Sequence, residues 1–390
     1  MNKRIIVFVT HRYPPAVGGM QKQSFELIKG ISRELPSEMI VWHNSVMVAF
    51  FLLWSIKRKL KKIVKQNDIA LVHLNDGLLV LALDSIRKVT SAPVFCTMHG
   101  LDVVFPSKFY QKRLIQNASD LNMIISVSEA TKSECVQRGI PGDKVKVIHN
   151  GVDKEKVLEK KDPFFIDKLE MILNASLKEK IILLSVGRPV KRKGISWFIE
   201  NVMPRLNENI IFITVGASLK KERLVRFMLK ALPKRMRELI ALMFGIGLDE
   251  PRQLKLTRCE KLKNRVFLLG KVNYEDLIQL YKHAYLFIMP NIPVEGDMEG
   301  FGITALEASV NGAVVLASDL EGIRDPIKNG INGFLLEPKN ADAWIEKIES
   351  LLSDRQELVE MAESFKQYSL QKFGWDRMTA EYKKLFSSYI

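Results

Sequence analysis

Short apolar runs alternate along the chain with segments of helical period. In the first half, runs at 5–10, 38–41, 69–74, 93–98, 123–127 and 145–148 read as buried strands, with helices over 20–32 and 54–66 among the segments between them. In the second half the runs fall at 181–186, 210–215, 266–269, 285–289, 313–317 and 333–336. Alternation of this kind predicts an α/β protein whose parallel sheets carry helices on both faces. The charged segment 152–179 breaks the rhythm and marks a domain junction. The expectation is two doubly wound, Rossmann-like domains facing across a cleft, over residues 1–165 and 170–375. Ligands in open sheets of this kind bind beyond the carboxyl ends of the strands.

Composition adds limits. A length of 390 residues exceeds one ordinary core, and 47% hydrophobic with 26% charged residues is usual for a soluble protein. Met1-Asn2-Lys3-Arg4 runs straight into the first apolar run without a leader pattern. Three widely spaced cysteines, Cys96, Cys135 and Cys259, predict a reducing, cytoplasmic setting and no structural metal. The net charge of +15 calls for an anionic partner. Part of the excess is concentrated: Lys220, Lys221, Arg223, Arg226, Lys230, Lys234, Arg235 and Arg237 lie close together, against one acid, Glu222. A second basic cluster, at 57–65, follows the uncharged stretch 44–56, which is shorter than the ~20 apolar residues of a membrane-spanning helix.

The motifs that carry chemistry follow strands. Glu299-Gly300-Phe301-Gly302-Ile303-Thr304-Ala305-Leu306-Glu307 comes after the run 285–289 and a turn-rich loop. Its glycines permit close backbone approach, and a helix starting near Thr304 would aim free N–H groups at a pyrophosphate. Thr304-x-x-Glu307 also fits a capping box, which would account for Glu307 with no ligand at all. Gly187-Arg188-Pro189-Val190-Lys191-Arg192-Lys193-Gly194 follows the run 181–186, and its cations suit a diphosphate leaving group or merely form a solvated loop. Gly18-Gly19 closes a glycine-bearing turn that is neither a dinucleotide fingerprint nor a Walker loop. His99-Gly100-Leu101-Asp102 ends the run 93–98. Among the other histidines, His11 follows the first strand and can line a cleft; His43, His73, His149 and His283 read as structural. Absence of H-E-x-x-H, G-x-S-x-G and Asp-x-Asp patterns argues against zinc proteolysis, serine hydrolysis and a metal-bound nucleotide-sugar site.

Taken in order, Pro15-x-x-Gly18-Gly19, His99-Gly100, Ile148-His149-Asn150-Gly151-Val152-Asp153, Gly187-Arg188 with Lys193-Gly194, Phe267-Leu268-Leu269-Gly270, and Glu299 with Glu307 resemble the retaining glycosyltransferases of family 4, which have the GT-B fold. That resemblance implies a hexosyltransferase using a UDP- or GDP-linked sugar without metal or other cofactor. It implies that Arg188 and Lys193 hold the donor diphosphate beside Gly187, that Glu299 contacts the transferred sugar and Glu307 the ribose, and that backbone at Gly300, Phe301, Gly302 and Ile303 adds contacts. Lys271 and Val272 would meet the base, Gly18 and Gly19 the diphosphate, and His99 the donor sugar near its reacting carbon. The last helix, 376–390, would return to the first domain. The sequence departs from the family at Ala313, where proline is frequent, at Glu321-Gly322-Ile323-Arg324-Asp325, where Gly-Gly-x-x-Glu is usual, and in an insertion over 217–263.

The acceptor implied is a glycan or a lipid-linked acceptor in surface polysaccharide or glycolipid synthesis. Cationic and apolar residues mix in 57–65 and 219–244, which fits an anionic membrane surface and a peripheral position on the inner face, as it also fits helices with solvated basic faces. A phosphorylase, a nucleotide-sugar epimerase or a non-catalytic anion-binding protein are the alternatives within or beside this fold. No nucleic-acid motif or aromatic–basic interleaving is present, so nucleic acid is not expected as a partner.

Overall fold

The computed structural model describes residues 3–15, 18–41, 46–154, 157, 159–216 and 223–390. Ala16, Val17, His43, Asn44 and the start of the basic stretch through Lys220, Lys221 and Glu222 lie outside the described residues. The chain divides into two compact units. The first is Met1–Gly151 with Gly296–Phe301 and Phe373–Ile390; the second is Val152–Glu295 with Gly302–Lys372.

The first unit holds six parallel strands, β1 (Lys3–Thr10), β2 (Ser37–Val41), β3 (Asn67–Leu74), β4 (Val94–Met98), β5 (Met123–Ser126) and β6 (Val145–Val147), in the order β2-β1-β3-β4-β5-β6. The second unit holds β7 (Ile181–Val186), β8 (Ile210–Val215), β9 (Val266–Gly270), β10 (Leu286–Met289), β11 (Val314–Ser318) and β12 (Phe334–Leu336), also parallel, in the order β12-β11-β10-β7-β8-β9. All twelve apolar runs form strands. They read as nearly continuous apolar stretches because both faces of each sheet are covered. In β7, Ile181 and Leu183 enter one core with Phe198 and Trp344, while Ile182 and Leu184 enter another with Tyr281 and Ile323. The second unit follows the doubly wound order in which the strand sequence reverses between β7 and β10.

Two segments differ from the sequence reading. The helix expected over 54–66 begins earlier and spans Val46–Val64. The segment 152–179, read as a break in the rhythm, contains the helix Phe165–Leu173, whose Phe165 and Leu169 are buried under the second sheet.

In the first unit, one sheet face packs on the helix Gly19–Ser32 and on the last helix, Trp375–Ser387. The two helices touch where Gly30 leaves no room for a side chain, a Cβ there falling 2.4 Å from Thr379 Cγ2. Beneath them runs a buried polar chain. Gln23 Nε2 donates to the Tyr382 hydroxyl at 3.3 Å, which lies 2.8 Å from Thr97 Oγ1, and Thr97 Oγ1 is 3.0 Å from His73 Nε2. Phe8, His73, Tyr382 and Phe386 pack around it with their rings edge to face or tilted. Burial, reinforced by His99, pushes the His73 imidazole down to about 3 from its ordinary 6.5.

This has a pH consequence. Unfolded chain takes up the His73 proton below pH 6.5, whereas the folded imidazole resists it down to about 3. The stabilisation is therefore complete above the unfolded value and drains away as the pH falls through that window. Denaturant unfolding at neutral pH and at roughly pH 4 measures it. His73→Gln, which keeps a polar group beside Thr97, is expected to flatten the fall in stability between the two conditions.

Candidate functional site

In the second unit, the loops leaving β7 and β10 meet at the reversal of strand order. Gly194 has φ +66°, and a Cβ there would sit 1.8 Å from the Pro290 carbonyl oxygen. The Ile292 N–H donates to the Arg192 carbonyl at 2.9 Å, tying the loops a second time. Across the first of them, the aliphatic stem of Lys193 lies over Gly187, its Cε 3.1 Å from where a Cβ would stand. Gly187, Arg188 and Lys193 therefore share one loop at the carboxyl end of β7. An open depression beside it is lined by Gly187, Thr214, Gly216 and Gly270, at the ends of β7, β8 and β9. Lys271 and Val272 follow directly on Gly270.

The Arg188 guanidinium reaches the end of the helix Lys234–Phe244, inside the insertion. That helix closes on Gly245 at φ +67°, and a Cβ there would fall 1.6 Å from an Arg188 terminal nitrogen. A cation at a helix carboxyl end is favoured by the helix dipole. Sequence reasoning missed this contact: Gly245 lies 57 positions along the chain from Arg188, and its only local signal was that of a helix-ending glycine.

The helix after β10 spans Ile303–Val310 and is preceded by Gly302 at φ +83°. The capping-box alternative is thereby corrected. Thr304 stands inside the first turn, not before it, because glycine takes the left-handed position that turns the chain into the helix, and no side chain caps it. Thr304 Oγ1 is buried without a hydrogen-bond partner among the described residues. Glu307 has a different anchor: the Tyr281 hydroxyl donates to its Oε2 at 3.3 Å. Tyr281 is fully buried, and burial, then the Glu307 carboxylate, pushes its hydroxyl well up, so it remains a donor.

In the first unit, His99 and Gly100 end β4 and meet the segment carrying Glu299. A Cβ on Gly300 would lie 1.9 Å from the His99 carbonyl oxygen, and one on Gly100, at φ +101°, would lie 3.0 Å from the Gly300 Cα. Only glycine on both sides allows this approach. His99 Nε2 donates to the Asn75 carbonyl at 2.8 Å, since a carbonyl oxygen can only accept. Asp102 fixes the loop, accepting from the His99 and Gly77 N–H groups at 2.8 Å each. Burial raises its carboxyl despite the lowering influence of His99 and these two donors. His11 Nδ1 lies 2.8 Å from Asp76 Oδ2, both nearly or wholly buried at the ends of β1 and β3. Burial works against the Asp76 carboxylate, yet His11, with Arg12 and His99, holds it below the usual range. Asp76 did not stand out by type or spacing in the sequence, and Asp102 stood out only as the end of His99-Gly100-Leu101-Asp102, without a role. Gly18 and Gly19 open the helix Gly19–Ser32 and are exposed. His149 packs between Phe301 and Phe373, and a Cβ on Gly151 would fall 2.3 Å from the Gly374 carbonyl carbon, so both are structural.

Known proteins supply the comparison. The model described as Glycosyl transferases group 1 matches residues 170–372, and the one described as Glycosyltransferase Family 4 matches 6–156. An uncharacterized glycosyltransferase of Methanocaldococcus jannaschii is 26% identical over 96% of this chain and 96% of its own length. The Campylobacter jejuni N,N'-diacetylbacillosaminyl-diphospho-undecaprenol alpha-1,3-N-acetylgalactosaminyltransferase is 30% identical over 31% of this chain and 32% of its own. The crystal structure of Anabaena HepE in complex with UDP-glucose has the same fold, with a TM-score of 0.76 at 19% identity over 98% of this chain and 99% of that one. With two parallel six-stranded sheets and family matches in both halves, the chain belongs to the glycosyl transferases group 1 family and is a glycosyltransferase of the GT-B type.

Proposed function

We propose that the enzyme moves a hexose or N-acetylhexosamine from a UDP- or GDP-linked donor to a glycan or lipid-linked acceptor, with retention at the anomeric carbon and no metal. The observation that carries this reading is the Gly187–Gly194 loop, which sets Arg188 and Lys193 at the strand-order reversal beside the depression at Gly216 and Gly270. In this reading the nucleoside goes to the depression, whose Gly270 is followed by Lys271 and Val272, and the cations hold the diphosphate. Backbone of Gly302 and Ile303 adds donors at the opening of the next helix. Glu307, aimed by Tyr281, takes the ribose. Glu299, Gly300 and Phe301 meet the sugar, as does His99 through its own loop, and Gly18 with Gly19 approach the diphosphate.

In the reaction, the acceptor hydroxyl attacks the anomeric carbon on the face from which the diphosphate departs. The bond to the diphosphate oxygen breaks, and the hydroxyl proton passes to that oxygen. No enzyme nucleophile is needed. The protein supplies position and charge, and each lost diphosphate contact costs roughly 3 kcal/mol of transition-state stabilisation. The Campylobacter relative, which acts on a diphospho-undecaprenol-linked sugar, favours the lipid-linked acceptor. Such an acceptor places the enzyme in the cytoplasm, peripheral to the inner membrane face, in surface polysaccharide or glycolipid synthesis.

Nucleotide release from a panel of UDP-, GDP- and ADP-linked sugars, with a membrane lipid extract as acceptor source, tests the reading. Release from one donor is expected to depend on lipid and to fall about a hundredfold in Lys193→Ala and in Glu299→Ala. No release from any donor would overturn the reading. Two variants test the supports. Gly245→Ala, which drives a methyl group into the Arg188 guanidinium, should weaken donor binding with roughly 1–2 kcal/mol lost in unfolding stability to the left-handed backbone. Tyr281→Phe should raise the donor KM several-fold through Glu307 while fold and kcat change little, as steady-state kinetics beside a thermal melt would record.

A further inference from the structure

The two basic segments differ in what they do with their apolar residues. Over 57–65 the helix Val46–Val64 turns Ile56, Leu60 and Ile63 into the core of the first unit and leaves its cations in solvent. Over these residues the helix is ordinarily amphipathic on its own domain. The insertion behaves otherwise. The helices Arg223–Lys230 and Lys234–Phe244 form a module whose small core is Leu229, Ala241 and Ile246, with Leu232, Ile240 and Leu248 against it. That core leaves Phe227 73% and Met228 57% exposed, with Met236 exposed on the second helix. Lys230, Lys234 and Arg235, close to them in the sequence, are exposed as well, and the single acid from 227 to 248 is Glu238.

We propose that this helical pair is a docking foot for an anionic bilayer surface, with Phe227, Met228 and Met236 entering the interface and the cations meeting lipid phosphates. It rests on the lipid-linked acceptor reading and assigns the membrane contact to this module alone. Exposed large apolar side chains interspersed along two helices with cations, with one acid among them, are complementary to negatively charged headgroups over an acyl layer. A protein groove would not need the cations, and a nucleic-acid backbone would not need Met228 and Met236 in water. The foot is also firmly rooted. Gly245 lies against Arg188, and the Asp249 N–H donates to the Pro189 carbonyl at 3.0 Å. Asp249 Oδ2 accepts from Ser196 Oγ at 2.7 Å and from Gln253 Nε2 at 3.0 Å. The module is thus fixed to the loop that carries the donor-binding cations.

Co-sedimentation of the full chain with phosphatidylcholine vesicles, with and without about one-third phosphatidylglycerol, tests the foot. Binding is expected only with the anionic lipid. The Lys230→Glu/Lys234→Glu/Arg235→Glu variant should lose about a hundredfold, at roughly fivefold or more per cation. Phe227→Ser/Met228→Ser should also release the protein, whereas Lys57→Glu/Lys61→Glu/Lys62→Glu should bind as wild type does. Retention by both foot variants, or loss only in the 57–62 variant, would overturn the proposal. So would self-association, followed by sedimentation velocity, that disappears in the Phe227/Met228 variant while wild type ignores the vesicles. Release of nucleotide from the donor panel with the lipid extract present is measured alongside. Vesicle binding without turnover sinks the transferase reading and keeps the foot, and turnover without vesicle binding does the reverse.

Discussion

The arrangement of the second unit depends on one steric constraint, the passage of Gly194 beneath the Pro290 carbonyl. With 1.8 Å between that oxygen and the position of a Cβ, no side chain can stand there without parting the loops that leave β7 and β10. These are the loops on either side of the strand-order reversal, where a doubly wound sheet opens. Because they are pinned, Lys193 can fold back over Gly187, and Arg188 can rest on the end of a helix from a distant insertion. In the first unit the same device recurs. Gly300 against the His99 carbonyl lets two backbones approach where any larger residue would separate them.

Around these contacts the polar groups are arranged for position rather than for exchange of protons. Asp102 spends its carboxylate on two backbone N–H groups, and His99 spends Nε2 on a carbonyl. Glu307 is aimed by a tyrosine that burial keeps protonated. A reaction whose catalytic demand is charge stabilisation and orientation needs groups held in this way more than it needs a tuned general base.

Much of this was legible in the sequence for a physical reason. Strands buried on both faces are nearly pure apolar runs, and all twelve stood out as such. Gly187–Gly194 and Glu299–Glu307 were recognisable because glycines and charges directly after a buried strand fall at its carboxyl end. What was not legible depended on distance along the chain or on backbone angle. Gly302, at φ +83°, takes the turn into the helix that Thr304 was eligible to cap, and residue type alone does not choose between them. Gly245 matters through Arg188, and Tyr281 through Glu307, and neither pairing has a local signal. The buried chain from Gln23 to His73 passes through Tyr382, near the other end of the molecule's sequence. The two basic stretches looked alike in composition and proved different in packing: one turns Ile56, Leu60 and Ile63 into the core of its unit, and the other leaves Phe227, Met228 and Met236 exposed beside a small core of its own.

The central claim is that Arg188 and Lys193 hold the donor's diphosphate, and calorimetric titration tests it most directly. UDP and GDP should be compared with their monophosphates on wild type and on Lys193→Ala. The account predicts that one diphosphate binds at least tenfold more tightly than its monophosphate, about 1.4 kcal/mol, and that Lys193→Ala abolishes the difference. Equal affinity for mono- and diphosphate in wild type, or an undiminished preference in the variant, would contradict it.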